Sequence, residues 1–406
     1  MQLSLFEHVQ KAFGEASDVI SNKQLYTAVA RSAGLAEHEL NNTTAIGQAG
    51  EQRSVIKRQI RWHQQTLKHS GLIQQAGRGR WTLTKTGKVT LKKIQPRSTM
   101  VAFSTELGVA LWSLNDDVLN ALNAPITLVL TSPPYPLQTA RAYGNPNLNQ
   151  YIDFVVESLR PIAKHLEPGG SICLNLSNDI FEPGIPARSL YRERLVIALA
   201  DELKLWKMDE LIWHNPCKPP GPIAWASKKR NQLNVAWEPV YWFTNNPALV
   251  KSDNRRVLQP HSERHLKLIE AGGTASARTA SDNAYRTRKG AYGKPTAGKI
   301  PRNILTFPHN CPAQSRYKKA ARELGIAPHG APFPLSLATF LIRFLTEPGD
   351  LVIDPFAGSL TTGDAAQREG RRWLMIECMW EYLRAGATRF QEHNDFEWDR
   401  EFLNLA

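Results

Sequence analysis

Four consecutive residues, Ser132, Pro133, Pro134 and Tyr135, follow directly on Thr131 and the apolar run Ile126 to Leu130. Two successive prolines can neither donate to a sheet ladder nor continue a helix, so these residues stand beyond the carboxyl end of a strand. There the Ser132 hydroxyl and the Pro133 carbonyl offer two acceptors side by side, and Tyr135 offers a ring. Such a turn suits a conjugated amino group. Two acceptors aimed at its hydrogens favour a pyramidal nitrogen, while the ring stacks on the heterocycle that carries it.

A second constellation, Asp354-Pro355-Phe356-Ala357-Gly358-Ser359-Leu360-Thr361-Thr362, joins the apolar run Leu351 to Ile353 to a helical pattern from Thr361 to Glu369. Its small residues let backbone approach a ligand at a helix N-terminus. It has neither the lysine of a phosphate-binding P-loop nor GxGxxG spacing, which argues against a nucleoside triphosphate or NAD. Glu377, 23 residues beyond Asp354 and at the end of the next apolar run, is placed to accept the two hydroxyls of a ribose.

Both constellations need a sheet to hold them. Ile126 to Leu130, Ser171 to Leu176, Leu351 to Asp354 and Trp373 to Glu377 read as buried strands, with Met208 to Trp213 and Val240 to Phe243 as further ones. Tyr151 to Leu166, Leu190 to Leu203, Leu337 to Leu345 and Thr361 to Glu369 read as helices. Residues 1–95 predict helices from Leu5 to Phe13 and Lys23 to Ala33, then an Asn-rich loop from Asn41 to Gly50. A longer helix from Glu51 to Ser70 follows, with Arg53, Lys57, Arg58 and Arg61 outward, and then a hairpin around Gly77-Arg78-Gly79-Arg80. Three helices and a basic hairpin form a winged-helix-like α+β domain, in which one helix enters a DNA groove. A basic module for dimerisation or protein docking is the other reading.

The chain has 406 residues, enough for two or three structural units, and a formal net charge of +13. That charge is segregated. Residues 1–95 hold 14 Lys or Arg against 6 Asp or Glu, residues 251–320 hold 15 against 4, and the rest is net acidic. Charge gathered into surfaces favours a polyanionic partner. From about Asn215 to Tyr317 regular patterning fades, and Tyr285, Arg286, Arg288, Lys289, Tyr292 and Lys294 interleave rings with cations, as a basic insertion ordered by a phosphate backbone would. Cys173, Cys217, Cys311 and Cys378 are isolated, so neither a CxxC metal pair nor a disulfide framework is expected. No apolar run approaches the roughly 18 residues of a membrane span, and no signal-peptide pattern is present, so a cytoplasmic protein is expected.

Thr131-Ser132-Pro133-Pro134-Tyr135 resembles the catalytic motif of the DNA amino methyltransferases: Ser, Asp or Asn followed by Pro-Pro-Tyr or Pro-Pro-Phe. Asp354 to Thr362 resembles their S-adenosylmethionine loop, and His329-Gly330-Ala331-Pro332-Phe333-Pro334 resembles the segment that completes the cofactor pocket. The catalytic motif precedes the cofactor loop, which is the circular order of the β-class. The resemblance spans roughly residues 100 to 392. It implies an α/β fold, a Rossmann-like methyltransferase sheet of permuted motif order over residues 96–392, with a target-recognition insertion at 215–317 and a C-terminal tail at 393–406.

The resemblance implies Ser132, Pro133, Pro134 and Tyr135 as the catalytic turn. It implies S-adenosylmethionine as cofactor, held by Asp354, Phe356, Gly358, Ser359, Thr361, Thr362, Glu377, His329 and Phe333. Double-stranded DNA is the implied partner, met by Arg53, Lys57, Arg58 and Arg61 and by Arg286, Arg288 and Lys289. The implied reaction moves a methyl group to the exocyclic amino group of a flipped base. Serine in the first motif position favours N4 of cytosine, with N6 of adenine as the alternative; a catalytically silent DNA-binding regulator and an RNA methyltransferase stand further off. A homodimer and a cognate restriction endonuclease are candidate partners, and a bacterial or phage-encoded, nucleoid-associated location is expected. Where the family loop reads Gly-Ser-Gly-Thr-Thr, this chain has Leu360 for the second glycine. A positive φ there would cost leucine roughly 1 kcal/mol or more.

Overall fold

Ile126–Thr131 is buried at every position, as a β-branched strand covered on both faces must be. In the computed structural model, which describes residues 5–14, 16, 19–46, 51–84, 87, 99–136, 146–279 and 285–403, this strand sits inside a ten-stranded sheet. The spatial order is Ile304–Thr306, Trp206–His214, Trp237–Thr244, Leu166–Asn175, Ile126–Thr131, Leu351–Asp354, Arg372–Glu377, Gly108–Trp112, Met100–Thr105 and Glu397–Trp398. The central five, from Leu166–Asn175 to Gly108–Trp112, run parallel. Antiparallel partners flank them on both sides.

Helix Tyr151–His165 carries the chain from Ile126–Thr131 to Leu166–Asn175, and helix Thr361–Arg368 carries it from Leu351–Asp354 to Arg372–Glu377. Val155, Leu159 and Ile162 of the first helix join one core, and Ala365 and Ala366 of the second join another, with the sheet between. Ile126–Thr131 and Leu351–Asp354 are neighbours whose connections leave in opposite directions. A crevice therefore opens at their carboxyl ends, and that is where open α/β sheets bind ligands. The catalytic turn and the cofactor loop both start there.

The N-terminal residues have a core of their own, built on Phe13, Leu25, Val29, Ile60 and Leu67. Helices Leu5–Gly14, Asn22–Ala33, Glu37–Asn41 and Val55–His69 surround a three-stranded sheet of order Val19–Ser21, Arg80–Leu83, Ile73–Gly77. Ser21 opens the second helix with a capping box to Gln24, and Ser54 caps the fourth at Lys57. The expected loop from Asn41 to Gly50 instead contributes Thr43–Ile46, which pairs with Glu51–Ser54, so the long helix begins only at Val55 and Arg53 lies on a strand. The apolar periodicity of that helix starts at Val55, and the four residues before it, Glu-Gln-Arg-Ser, are all polar.

Two further expectations are corrected. Residues 215–317 are not one insertion, because Trp237–Thr244 and Ile304–Thr306 are strands of the main sheet. Residues 393–406 are not a free tail: Glu397–Trp398 pairs with Phe103 and Ser104, and Phe402 is fully buried against Trp398. The strands Met100–Thr105 and Gly108–Trp112, which open the catalytic domain, carried no distinct signal because Ser, Thr and Gly dilute their apolar pattern. No helix among the described residues is long and apolar enough to cross a membrane.

Candidate active site

Thr131 ends its strand buried, and beyond it Ser132, Pro134 and Tyr135 are partly exposed while Pro133 is buried. Ser132 Oγ donates to the Tyr135 hydroxyl at 2.9 Å. That hydroxyl in turn lies 3.2 Å from Oδ1 of Asn175 and 3.4 Å from Oε2 of Glu238. Asn175 ends the neighbouring parallel strand and Glu238 begins the antiparallel strand beside it, so sheet register brings them to the turn. The other oxygen of Glu238 takes Lys218 Nζ at 2.6 Å. Burial, reinforced by the charge of Glu238, pushes the Tyr135 phenol well above its ordinary range, so the hydroxyl keeps its proton. Asn175, Lys218 and Glu238 belong to no motif and were missed by sequence reasoning.

The cofactor loop is braced from below. Asp354 is buried; its Oδ1 accepts Thr131 Oγ1 at 2.6 Å and the Phe356 N–H at 3.0 Å, and its Oδ2 accepts Thr362 Oγ1 at 2.7 Å. Its carboxylate is committed to holding the loop against the catalytic strand. Despite these donors, burial raises its pKa from 3.8 to about 6. Glu377 accepts the Gly358 and Met379 N–H groups, each at 2.8 Å, and burial pushes its carboxyl up as well. The Cys378 side chain is a third donor, and the carboxylate keeps acceptor capacity for a further one.

Leu360 does adopt a left-handed conformation, with φ 58° and ψ 27°. Its side chain is fully buried and occupies the space beside Gly386, where a β-carbon would stand 2.5 Å from Leu360 Cδ1. Apolar burial thus offsets the backbone cost. Behind the loop, Arg389 donates to the Ser359 carbonyl at 2.8 Å and to Gln314 Oε1 at 3.0 Å, pairs with buried Asp364 at 3.3 Å, and covers the Tyr317 ring. Ser359 and Thr361 bond each other through their hydroxyls at 2.9 Å. Arg389 and Asp364 are a buried ion pair that no sequence pattern announced.

His329 stands against the loop: a β-carbon on Gly358 would lie 3.1 Å from its Nε2, and its ring meets the Tyr382 ring edge-on at 4.9 Å. Phe356 remains partly exposed, 5.7 Å from the Phe154 ring. Phe333 is packed into the core instead, its carbonyl held by Gln314 Nε2 at 2.7 Å.

Of the expected DNA contacts, Arg58 and Arg61 are exposed on helix Val55–His69 beside Trp62, which is 65% exposed, and a groove of about 580 Å³ lined also by Thr44, Gln59 and Gln65. Lys57 is turned back, donating to Asn41 Oδ1 at 2.6 Å with its ammonium over the Tyr26 ring. Arg53 stands on the Glu51–Ser54 strand, which precedes that helix. Arg286, Arg288 and Lys289 are exposed, Arg286 on the small hairpin Arg278–Thr279 with Arg286–Thr287.

Residues 126–388 match the family model described as DNA methylase, and residues 4–93 match that of the Mrr N-terminal domain. The chain belongs to the DNA methylase family. It is 37% identical to the type II methyltransferase M.PvuII of Proteus hauseri, over 66% of this chain and 79% of that one. It is 24% identical to the type II methyltransferase M.BglII of Bacillus subtilis, over 66% of each. A solved structure titled PvuII DNA methyltransferase (cytosine-N4-specific) superposes with a TM-score of 0.56 at 31% identity, covering 74% of this chain and 92% of that one. The chain is thus an S-adenosylmethionine-dependent DNA methyltransferase with the Rossmann-like sheet of that family.

The residues present fit this cofactor. A tight loop turns at Gly358 and Leu360 into the N-terminus of helix Thr361–Arg368, and a buried carboxylate with acceptor capacity to spare closes the neighbouring strand at Glu377. The arrangement sets a glycine-lined backbone and a ribose-type acceptor beside the catalytic turn.

Proposed function

We propose that this methyltransferase is site-specific and methylates N4 of cytosine in a base extruded from duplex DNA. The observation that carries the reading is the catalytic turn itself: Ser132 is a neutral hydroxyl oriented by Tyr135 beside the Pro133 carbonyl. The likeness to a protein titled cytosine-N4-specific supports it. S-adenosylmethionine supplies an electrophilic methyl group on a sulfonium. The chain supplies the rest. Ser132 Oγ and the Pro133 carbonyl hold the amino hydrogens, and the Tyr135 ring stacks on the base. The ribose lies on Glu377, with Phe356, His329, Gly358, Ser359, Thr361 and Thr362 around the cofactor, while Asp354 positions the loop and Phe333 backs it.

Residues 1–95 act as a winged-helix-like DNA-binding domain, with Val55–His69 as the helix presented to DNA. Four helices and a three-stranded sheet of this order support that role. The parts of 215–317 outside the main sheet, with Arg286, Arg288 and Lys289, act in target recognition. A homodimer, a partner endonuclease and a cytoplasmic, nucleoid-associated setting complete the reading. Nucleoside mass spectrometry of DNA treated with the enzyme tests the base: N4-methylcytosine is expected, and N6-methyladenine in its place would overturn the assignment.

A further inference from the structure

We infer that Glu238 is the terminal proton acceptor of the methyl transfer, reached from the target nitrogen through the hydroxyls of Ser132 and Tyr135. This rests on the cytosine reading above and deepens it.

A neutral serine hydroxyl can orient an amino group, but it cannot keep the proton that the nitrogen must lose. It needs somewhere to send it. From Ser132 Oγ the path runs 2.9 Å to the Tyr135 oxygen and 3.4 Å onward to Glu238 Oε2. The competing acceptor at Tyr135, Asn175 Oδ1 at 3.2 Å, is an amide oxygen fixed by its own Nδ2 to the Pro239 carbonyl, and an amide does not take up a proton in this range. Lys218 occupies Oε1 of Glu238 and leaves Oε2 toward the tyrosine. The 3.4 Å step is long for O–H···O, as catalytic hydrogen bonds often are before substrate closes the site.

The step balances. The N4 lone pair forms the bond to the methyl carbon as the carbon–sulfur bond breaks with its electron pair going to sulfur. The nitrogen then gives a proton to Ser132 Oγ, Ser132 gives its own to the Tyr135 oxygen, and Tyr135 gives its own to Glu238. The positive charge of the sulfonium and the negative charge of Glu238 are consumed together. Glu238 returns its proton to water after the product leaves.

Around Glu238 stand Tyr135, Lys218, Asp179, His309 and Tyr191. Burial pushes the Asp179 carboxyl up and the His309 imidazole down, and the Tyr191 hydroxyl is committed to the Ser177 carbonyl at 2.6 Å. Only Glu238 combines a hydrogen-bonded path from Tyr135 with a salt bridge to a lysine.

The test measures single-turnover transfer of tritiated methyl groups to plasmid DNA that the wild-type enzyme methylates, in H2O and D2O and across pH. Glu238→Gln should lower the rate about 10²- to 10³-fold, erase the acid limb of the pH profile and abolish the solvent isotope effect. Cofactor affinity by calorimetry, and the fluorescence of 2-aminopurine next to the target base, should stay unchanged. Tyr135→Phe, which keeps the ring, should lose the same activity, and the double variant no more than either single one. If Glu238→Gln does not fold, Tyr135→Phe decides by the same readouts. A Glu238→Gln enzyme that keeps the rate within about threefold, with the acid limb and isotope effect intact, overturns the relay while leaving the cytosine reading untouched. If the wild-type product is another methylated base, the cytosine reading fails, and the same comparison still judges the relay for that amino group.

Discussion

Thr131 gives its hydroxyl hydrogen to Oδ1 of Asp354 at 2.6 Å, joining the residue before Ser132 to the last residue of the cofactor strand 223 positions away. The two motifs of this methyltransferase therefore share one buried carboxylate. Thr362 on the other oxygen ties the start of the cofactor helix into the same joint.

That joint has a pH signature. Burial raises the Asp354 pKa from 3.8 to about 6, so the folded chain holds this proton more tightly than the unfolded chain. The Asp354 contribution to stability is greatest below about pH 4 and declines as pH rises through about 6, by on the order of 3 kcal/mol. Urea unfolding of the wild type and of Asp354→Asn across that window should show this decline in the wild type alone. Parallel curves would place the shift elsewhere.

Leu360 and Gly386 should behave as a coupled pair. Leu360→Gly relieves about 1 kcal/mol of left-handed backbone but empties a buried leucine site worth roughly 2 to 5 kcal/mol, so a net loss is expected. Gly386→Ala would ordinarily favour its helix by about 1 kcal/mol, yet its β-carbon would collide with Leu360 and cost roughly 1 to 3 kcal/mol. Combined, the two changes should recover part of the loss. Strict additivity in thermal or urea unfolding would mean that the side chains do not meet.

Ser132→Ala removes one acceptor from the turn and interrupts its path to Tyr135. Turnover should fall by roughly ten- to a thousandfold, with the melting temperature and cofactor affinity nearly unchanged. Wild-type turnover in this variant would leave the Pro133 carbonyl as sufficient and the serine as incidental.

Glu377→Ala should weaken S-adenosylmethionine binding by roughly 1 to 3 kcal/mol, since it removes the ribose acceptor and also leaves the Gly358 and Met379 N–H groups without theirs. Calorimetry is the measurement, and an unaltered affinity would defeat the ribose assignment.

In the N-terminal domain, Arg58 and Arg61 present their charge outward while Lys57 does not. Replacing both arginines by alanine should reduce the salt dependence of DNA binding by up to about 0.9 in slope per lost phosphate contact, whereas Lys57→Ala should leave the slope alone. An unchanged slope in the arginine variant would favour a dimerisation or docking role for this domain.

Sequence alone determined the parts of this protein whose physics is local. Two prolines after a β-branched run place Ser132 to Tyr135 beyond a strand end, small residues between a strand and a helix mark the Asp354 to Thr362 loop, and charge counts separate the basic segments from the acidic body. Tertiary structure decided everything that depends on sheet register or on one side chain meeting another far along the chain. Strand pairing sets Asn175 and Glu238 beside Tyr135, and helix packing sets Gly386 under Leu360. The same dependence turned the supposed tail into an edge strand and withdrew Lys57 from the exposed basic face. Such contacts leave no periodic trace, because a residue's neighbours across a sheet are fixed by topology and not by spacing.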